Sequence, residues 1–514
     1  MRLVSLLFAL PLVAAPARIQ VHENLVTITN DTGGARIEFA TSASFRFTRW
    51  WGVNPPLHEP LGFERIDFRA AERTATVAID TRYLTVEVDK IDFRLRVVST
   101  TRKLIYSEPN GVAREGTGVR FEANLHEQER LHGWGEGLPD RLNLRGARLS
   151  TTRPFYFSSF GFGRWFGGGT WEMDATGLAR VVIRGPRAEA FFHYGPSPKE
   201  IFEQHAAATR SQVQLPNSAI PVAKPNQLHR AATRIALKPE EWCQAPRRLN
   251  QLSLAGVIFP AFSADALAAQ STLLAMLPLL FAEKPSPDLD AARQSFTPFL
   301  LTYFQEAHDR GLPLIRPLLM QFPLDAGMDA LDGEFMIGDE FLVAPGCEVK
   351  EIKLPRGQWT DLRTNQRHPG RRSIANTAPG LPVLVKNGSV LPVAVRRPGV
   401  QMELHYFPRN GGEFFLWEPE TSSYSQFHAA PVGDLMRVET ESKVPRIYEW
   451  IIHHVGKPVT VGETGRDYGE VKERGELRPG CWWFDAQLGN LHLVLSTPGS
   501  EDRIVNMTFP EKTE

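Results

Sequence analysis

The chain has 514 residues, of which 42% are hydrophobic and 23% charged, enough for several domains that each bury a core of their own. Lysine plus arginine equals aspartate plus glutamate at 58 each, which excludes the one-sided charge of a nucleic-acid or anionic-membrane binder and favours neutral partners. Its three cysteines, Cys243, Cys347 and Cys481, lie far apart with no CxxC pair, so they give neither a disulfide framework nor a zinc motif.

The N-terminus, MRLVSLLFALPLVAAPA, carries Arg2, an apolar run from Leu3 to Val13, and small residues at Ala14, Ala15 and Ala17. This is the plan of a secretory signal peptide, residues 1–17, cleaved after Ala15 or Ala17. The mature protein is therefore expected to be secreted or periplasmic and free of the membrane. A spanning helix needs about 20 apolar residues, and no other stretch is that long.

Residues 18–214 read as an N-terminal β-sandwich. In AIDTRYLTVEVDKIDFRLRVV, Leu84, Val86 and Val88 alternate with polar neighbours, the phase flips at Asp89-Lys90, and Ile91, Phe93, Leu95 and Val97 resume the alternation. That is a hairpin of a half-buried antiparallel sheet. Short strands with Gly and Pro turns continue to about Tyr194, and a helix is expected from Pro198 to Thr209.

A Pro-rich passage from Leu215 to Asn226 marks a boundary. In SFTPFLLTYFQEAHDRGLP, the residues Phe296, Phe299, Leu300, Tyr303, Phe304 and Ala307 fall on one helical face, and Gly311 with Pro313 stops the helix. Asp288 and Asp290 are read as its N-terminal caps. Strands return from Phe322, giving a proximal β-domain over 322–396 and a distal one over 397–514.

Several chemical signatures fail on spacing. HEQER has Arg130 where a zincin needs its second histidine. GFGRWFGGG has the wrong spacing for a dinucleotide loop and reads as a turn-rich loop from Gly161 to Gly169. The pair His453-His454 is expected to point to opposite faces of a strand, which no metal site can use. Neither a metal nor a cofactor is expected. The aromatic residues Trp134, Phe155, Tyr156, Phe157, Phe160, Phe162, Trp165, Phe166 and Trp171 crowd together beside Gly-rich loops. They form either the sandwich core or, in part, a flat surface of the kind that binds sugars.

Three longer passages carry a resemblance: LHGWGEGLPDRLNLRGARL, then FLLTYFQEAHDRGLPLIRPLLMQFPLD followed by DGEFMIGDEFLVAP and LPRGQWTDL, and finally YFPRNGGEFFLWEPETSSYS. Their G-x-P-x-x-R-P, G-D-x-x-L-V-A-P and P-x-G-x-W patterns resemble glycoside hydrolase family 31, the α-glucosidase and α-xylosidase family. The resemblance implies an α-linked glycan as partner and a (β/α)₈ barrel between the sandwich and the C-terminal domains. Such a barrel takes about 250 residues, and residues 215–321 are too few, so only a truncated barrel remnant is expected there.

No segment resembles the family's W-x-D-M-x-E or K-x-D-x-x-E nucleophile strand; Trp359-Thr360-Asp361 and Trp483-Phe484-Asp485 lie elsewhere. RIALKPEEWCQAPRRLNQLSLAGVIFPAFSADALAA is similar to the family's acid/base passage. Aligned on Trp242 and on Leu254 to Gly256, it puts Leu237 at the acid/base aspartate and Asp265 at a substrate-site carboxylate. The resemblance thus implies Asp265 and Trp242 as substrate-binding residues and leaves no catalytic residue assigned.

The expectation is a multidomain, mainly β protein: an N-terminal β-sandwich, an incomplete (β/α) barrel remnant and two C-terminal β-domains. Functionally it reads as an exported, carbohydrate-binding protein whose hydrolytic chemistry is degenerate. Two other readings stay open: an active retaining α-glycosidase that uses replacement carboxylates such as Glu240 or Glu241, and a structural or partner-binding β-protein. The strands near Leu252 to Phe259 and Pro313 to Leu319 are expected to pair with each other or to pack on the N-terminal domain, since exposed strand edges are a liability.

Overall fold

The computed structural model describes residues 17–53, 55, 61, 65–134, 143–151, 155–166, 171–185, 188–209, 233–236, 255–259, 279–282, 287–331, 333–344, 350–376, 382–499 and 501–510. The chain divides into two compact units, residues 1–139 with 143–211, and residues 140–142 with 212–514.

The first unit is built of antiparallel sheets. An eight-stranded sheet runs in the order Arg18–His22, Leu25–Asn30, Gly33–Thr41, Ser44–Trp51, Ala188–Tyr194, Phe162–Phe166, Phe155–Ser158 and Leu131–Trp134. Two five-stranded sheets accompany it, one spanning Arg69–Glu72 to Leu104–Ser107 in sequence order, the other centred on Gly118–Asn124 and Leu178–Arg184. One apolar core draws on all three, with Ile37 and Phe45, Val86 and Val97, and Phe121 and Val181 all at 3% exposure or less.

The period-two hairpin forms as expected, with Leu84 opposite Ser99, Val86 opposite Val97 and Val88 opposite Leu95. Ile91 is the exception. It lies in the turn at 69% exposure, where the Asp89 carboxylate accepts its N–H at 2.8 Å, so it belongs to neither strand. GFGRWFGGG also departs from expectation, because Phe162–Phe166 is a strand of the eight-stranded sheet and not a loop. The helix Pro198–Thr209 begins with a capping box, in which Glu200 accepts the N–H and hydroxyl of Ser197 at 2.9 and 2.8 Å.

In the second unit, Thr233–Ala236, Ala255–Phe259 and Leu279–Ala282 form a three-stranded parallel sheet in sequence order. No closed barrel occurs among the described residues. The long helix Pro287–Arg310 follows. Pro287 takes its first position, so Asp288 and Asp290 lie inside the first turn and not at the cap. Gly311, at φ 69°, ends the helix in the left-handed conformation that glycine adopts without a Cβ penalty.

The strand after it, Ile315–Pro317, pairs antiparallel with Phe335–Ile337 and opens a six-stranded sheet that continues through Phe341–Val343, Val383–Lys386, Gln358–Asp361 and Arg367–Pro369. It does not pair with Ala255–Phe259, the first of the two arrangements that the sequence offered. A neighbour close in sequence supplies its hydrogen bonds instead.

A two-stranded sheet, Glu351–Leu354 with Arg372–Ala375, and two further six-stranded sheets follow. One six-stranded sheet contains Val390–Arg397, Val400–Tyr406, Arg446–Ile452 and Asn490–Thr497; the other contains Gly412–Glu418, Ser423–Val432, Leu435–Glu441 and Asp502–Thr508. Their facing side chains, among them Leu404, Trp450, Leu493, Phe427 and Val505, are completely buried. Trp450 donates its indole N–H to Thr440 at 2.9 Å and so ties the two sheets together. The same core takes in the helix face read from the sequence: Phe299 at 1%, Leu300 at 0%, Tyr303 at 6%, Phe304 at 3% and Ala307 at 1% exposure.

Phe299 packs its ring against Phe341 at 5.4 Å and Phe414 at 6.0 Å. Phe299→Ala is expected to destabilise this unit by about 3–5 kcal/mol, read from the denaturant midpoint; a loss under about 1 kcal/mol would show that the helix does not anchor the core.

Candidate functional site

The segment GLPLIRPLL places one charge in an otherwise apolar run, and MIGDEFLV places two. The structure brings them together. Arg316 is completely buried, its guanidinium paired with Glu306 from the long helix and with Asp339 from the turn before Phe341–Val343. Its Nε donates to the Pro313 carbonyl at 2.7 Å, and its Cζ lies 5.2 Å from the Tyr303 ring. Burial alone would lower the Arg316 pKa, but the two carboxylates outweigh it and the net direction is up.

Tyr303 extends the network. Its hydroxyl donates to Glu340 Oε2 at 2.7 Å and accepts the Asp339 N–H at 2.9 Å. Burial, followed by the charge of Asp339, raises the Glu340 pKa above the usual carboxylate range. Gly338 sits at φ 60°, and a Cβ there would lie 2.6 Å from the Tyr303 ring, so the G-D motif owes its glycine to both conformation and space. Nearby, the Lys353 N–H donates to Glu334 at 2.9 Å, and burial pushes the Glu334 pKa up to about 7.

These groups open on two adjoining clefts that share Asp339, Glu340 and Glu413. One, of about 550 Å³, is lined by the helix residues Glu306 and Asp309 and by Phe415 and Tyr424; the other, of about 580 Å³, by Arg356, Lys386, Arg409 and a run of glycines. The first offers hydrogen-bond acceptors and aromatic rings, the second basic groups and open backbone. Among the described residues no group of three or more His, Cys, Asp or Glu side chains is placed to hold a metal ion.

The residues singled out from the sequence fare differently. Asp265 and Trp242 lie outside the described residues, as do Leu237, Glu240 and Glu241. Leu237 directly follows Thr233–Ala236 in the chain, and Asp265 comes six residues after Ala255–Phe259 ends; these strands are parallel, with Ala236 opposite Ile258. The two described strands therefore end at the same edge of the sheet.

Phe155, Tyr156, Phe157, Phe162 and Phe166 are all 4% exposed or less and belong to packing, not to a sugar-facing surface. Phe160 and Trp165 are half-buried; Phe160 stacks on His126 at 4.7 Å, and Trp165 packs on Phe191 at 5.0 Å. Trp359 is buried with its indole N–H on the Pro355 carbonyl at 3.0 Å, and Asp361 accepts the Arg363 N–H at 2.8 Å, so this W-x-D triplet closes a turn. His453 and His454 lie past the end of Arg446–Ile452 and not within it. His453 stacks on Phe407 at 4.2 Å, and His454 adopts φ 54°.

The Arg316 constellation was present in the quoted motifs but had no role assigned. The signal for it was a charge embedded in an apolar run, which a folded chain tolerates only when the charge is paired.

Residues 311–391, which include Arg316, Asp339 and Glu340, match the family model described as the glycosyl hydrolase family 31 C-terminal domain. Over this segment the chain matches glycoside hydrolase family 31. Among curated relatives, neutral alpha-glucosidase AB of Mus musculus is 30% identical over 155 residues, 26% of this chain and 16% of its own length. The matched stretch is thus well under two thirds of that relative. Among solved structures, the family 31 dextranase FjDex31A of Flavobacterium johnsoniae aligns with a TM-score of 0.76 at 15% identity, over 96% of this chain and 99% of its own. The cycloalternan-forming enzyme of Listeria monocytogenes aligns at 0.76 and 12% identity, over 96% of this chain and 76% of its own. At these identities the structures speak to the fold.

Two outcomes are expected at the charges of this matched segment. Arg316→Met leaves Asp339 and Glu306 without their buried partner and should cost about 3 kcal/mol in urea unfolding; a neutral result would mean that the pair carries no net stability. Glu334 has a raised folded-state pKa, so its contribution is full below its unfolded value and is lost as pH rises through about 7. Glu334→Gln, which keeps an acceptor for the Lys353 N–H, should therefore gain stability relative to the unsubstituted chain between pH 5 and pH 8. A pH-independent difference in melting temperature would refute this.

Proposed function

We propose that this protein is an exported, carbohydrate-associated member of family 31 that binds an α-linked glycan and has lost its hydrolytic chemistry. Leu237 carries the reading. It falls at the position where the family resemblance puts the acid/base aspartate, and a leucine has no proton to donate. Retaining glycosidases use two carboxylates about 5–5.5 Å apart, one as nucleophile and one as acid/base, and neither role can stand in for the other. No nucleophile segment of the family's pattern occurs in the sequence.

The glycan side of the reading is supported by the family match over residues 311–391 and by two structural neighbours. FjDex31A was solved as a mutant complexed with isomaltotriose, and the cycloalternan-forming enzyme was solved with a pentasaccharide substrate. Asp265 and Trp242 are proposed as glycan contacts on the resemblance alone. Export rests on residues 1–17, and the mature N-terminus should be Pro16 or Arg18, depending on whether cleavage follows Ala15 or Ala17.

Purified protein assayed on aryl α-glucoside and aryl α-xyloside should show turnover at background level, and Leu237→Asp alone should not raise it, because the nucleophile would still be missing. Turnover well above background in the unsubstituted protein, abolished by Asp265→Ala or Glu241→Gln, would replace this reading with that of an active glycosidase.

A further inference from the structure

The hairpin of Gly412–Glu418 and Ser423–Val432 has one face that the core does not use. Phe414, Leu416 and Phe427 point inward at 5%, 1% and 0% exposure. Successive strand residues alternate between faces, so Phe415 and its register partner Gln426, and Trp417 with its partner Tyr424, share the opposite face. Phe415 is 43% exposed, and the Trp417 and Tyr424 rings lie 5.0 Å apart. Beside this face runs the last part of the long helix, tied to the hairpin where Thr302 accepts the Trp417 N–H at 2.9 Å. The 550 Å³ cleft lies between them, within the range of small-molecule sites.

Its helix wall presents fixed acceptors. Asp309 is held by the Gln305 amide at 2.9 and 3.0 Å and by the Tyr424 hydroxyl. Glu306 is held by Arg310 at 2.9 Å and by Arg316. A carboxylate has about four acceptor positions, so each keeps lone pairs for a ligand while its orientation is already set.

Charge then narrows the ligand. Glu306 and Asp339 share Arg316, and Arg310 lies against Glu306, but Asp309, Glu340 and Glu413 also line the cleft, so its field stays negative. An anion would still meet carboxylates on both sides, and a hydrocarbon would strip them of water without replacing its hydrogen bonds. A neutral polyol with one apolar face satisfies both walls.

We propose that this cleft is a non-catalytic docking site for neutral pyranose units of an oligosaccharide. The C–H face of the sugar lies on the Phe415 ring, and its hydroxyls donate to Asp309 and Glu306 and bond the Gln426 amide. The proposal rests on the carbohydrate association argued above and adds a place on the chain where it occurs, remote in sequence from Asp265 and Trp242.

Calorimetric titration of the full chain with maltotriose and with isomaltotriose tests it. At least one trisaccharide should bind, and Phe415→Ala and Asp309→Asn should each weaken binding about tenfold, equivalent to about 1.4 kcal/mol. Phe415 is exposed and Asp309→Asn conserves shape, so near-ultraviolet circular dichroism should stay unchanged in both. Undiminished binding in both variants would overturn this cleft and leave the carbohydrate reading standing. Absence of binding to either trisaccharide, and to soluble starch and dextran in affinity gels, would remove both. Displacement of the sugar by millimolar tetramethylammonium chloride would instead mark the cleft as a cation site and overturn the proposal.

Discussion

A guanidinium removed entirely from water is the constraint around which the C-terminal part of this chain is arranged. Arg316 has carboxylates from two directions, Glu306 one way along the sequence and Asp339 the other. Removing a charge from water costs several kcal/mol, and only well-placed opposite charges offset that. Satisfying Arg316 therefore fixes the helix Pro287–Arg310 against the turn at Gly338 and Asp339. Tyr303 reinforces the arrangement by bonding both the Asp339 N–H and Glu340. The G-x-P-x-x-R-P and G-D-x-x-L-V-A-P motifs are two halves of one electrostatic joint, which accounts for the matched family segment containing both.

The same joint gives the neighbouring cleft its character. Carboxylates already committed to Arg316 keep their acceptor capacity. The Phe415 side of the hairpin adds exposed aromatic surface at no cost to the core, because the alternate residues Phe414 and Leu416 do the packing. A site for a neutral, hydroxyl-rich ligand thus arises from the packing of a helix end on a sheet, separate from any barrel chemistry.

What could be read from the sequence tracks how local the physics is. The helix face from Phe299 to Ala307 and the Leu84 to Val97 hairpin are periodic patterns within one element, and both appear with the expected faces buried. Ile91 was misread because its phase matched the strand while Asp89 had already drawn the backbone into a turn. Of the two arrangements offered for Ile315–Pro317, pairing with Ala255–Phe259 failed because pairing is a choice among segments, which no single stretch encodes. The packing role of Tyr156 and Phe162 was offered as one of two readings; periodicity could not separate an aromatic core from an aromatic surface. The Arg316 pairing was visible only as an unexplained charge in an apolar run, since its partners come from two other segments.

The two largest apolar clusters among the described residues share no residue. One draws on side chains from Val26 to Phe192 and the other on side chains from Phe299 to Met507. Cooperativity in folding comes from the side chains that a core holds in common, so a substitution inside one of these clusters acts first on the stability of that cluster.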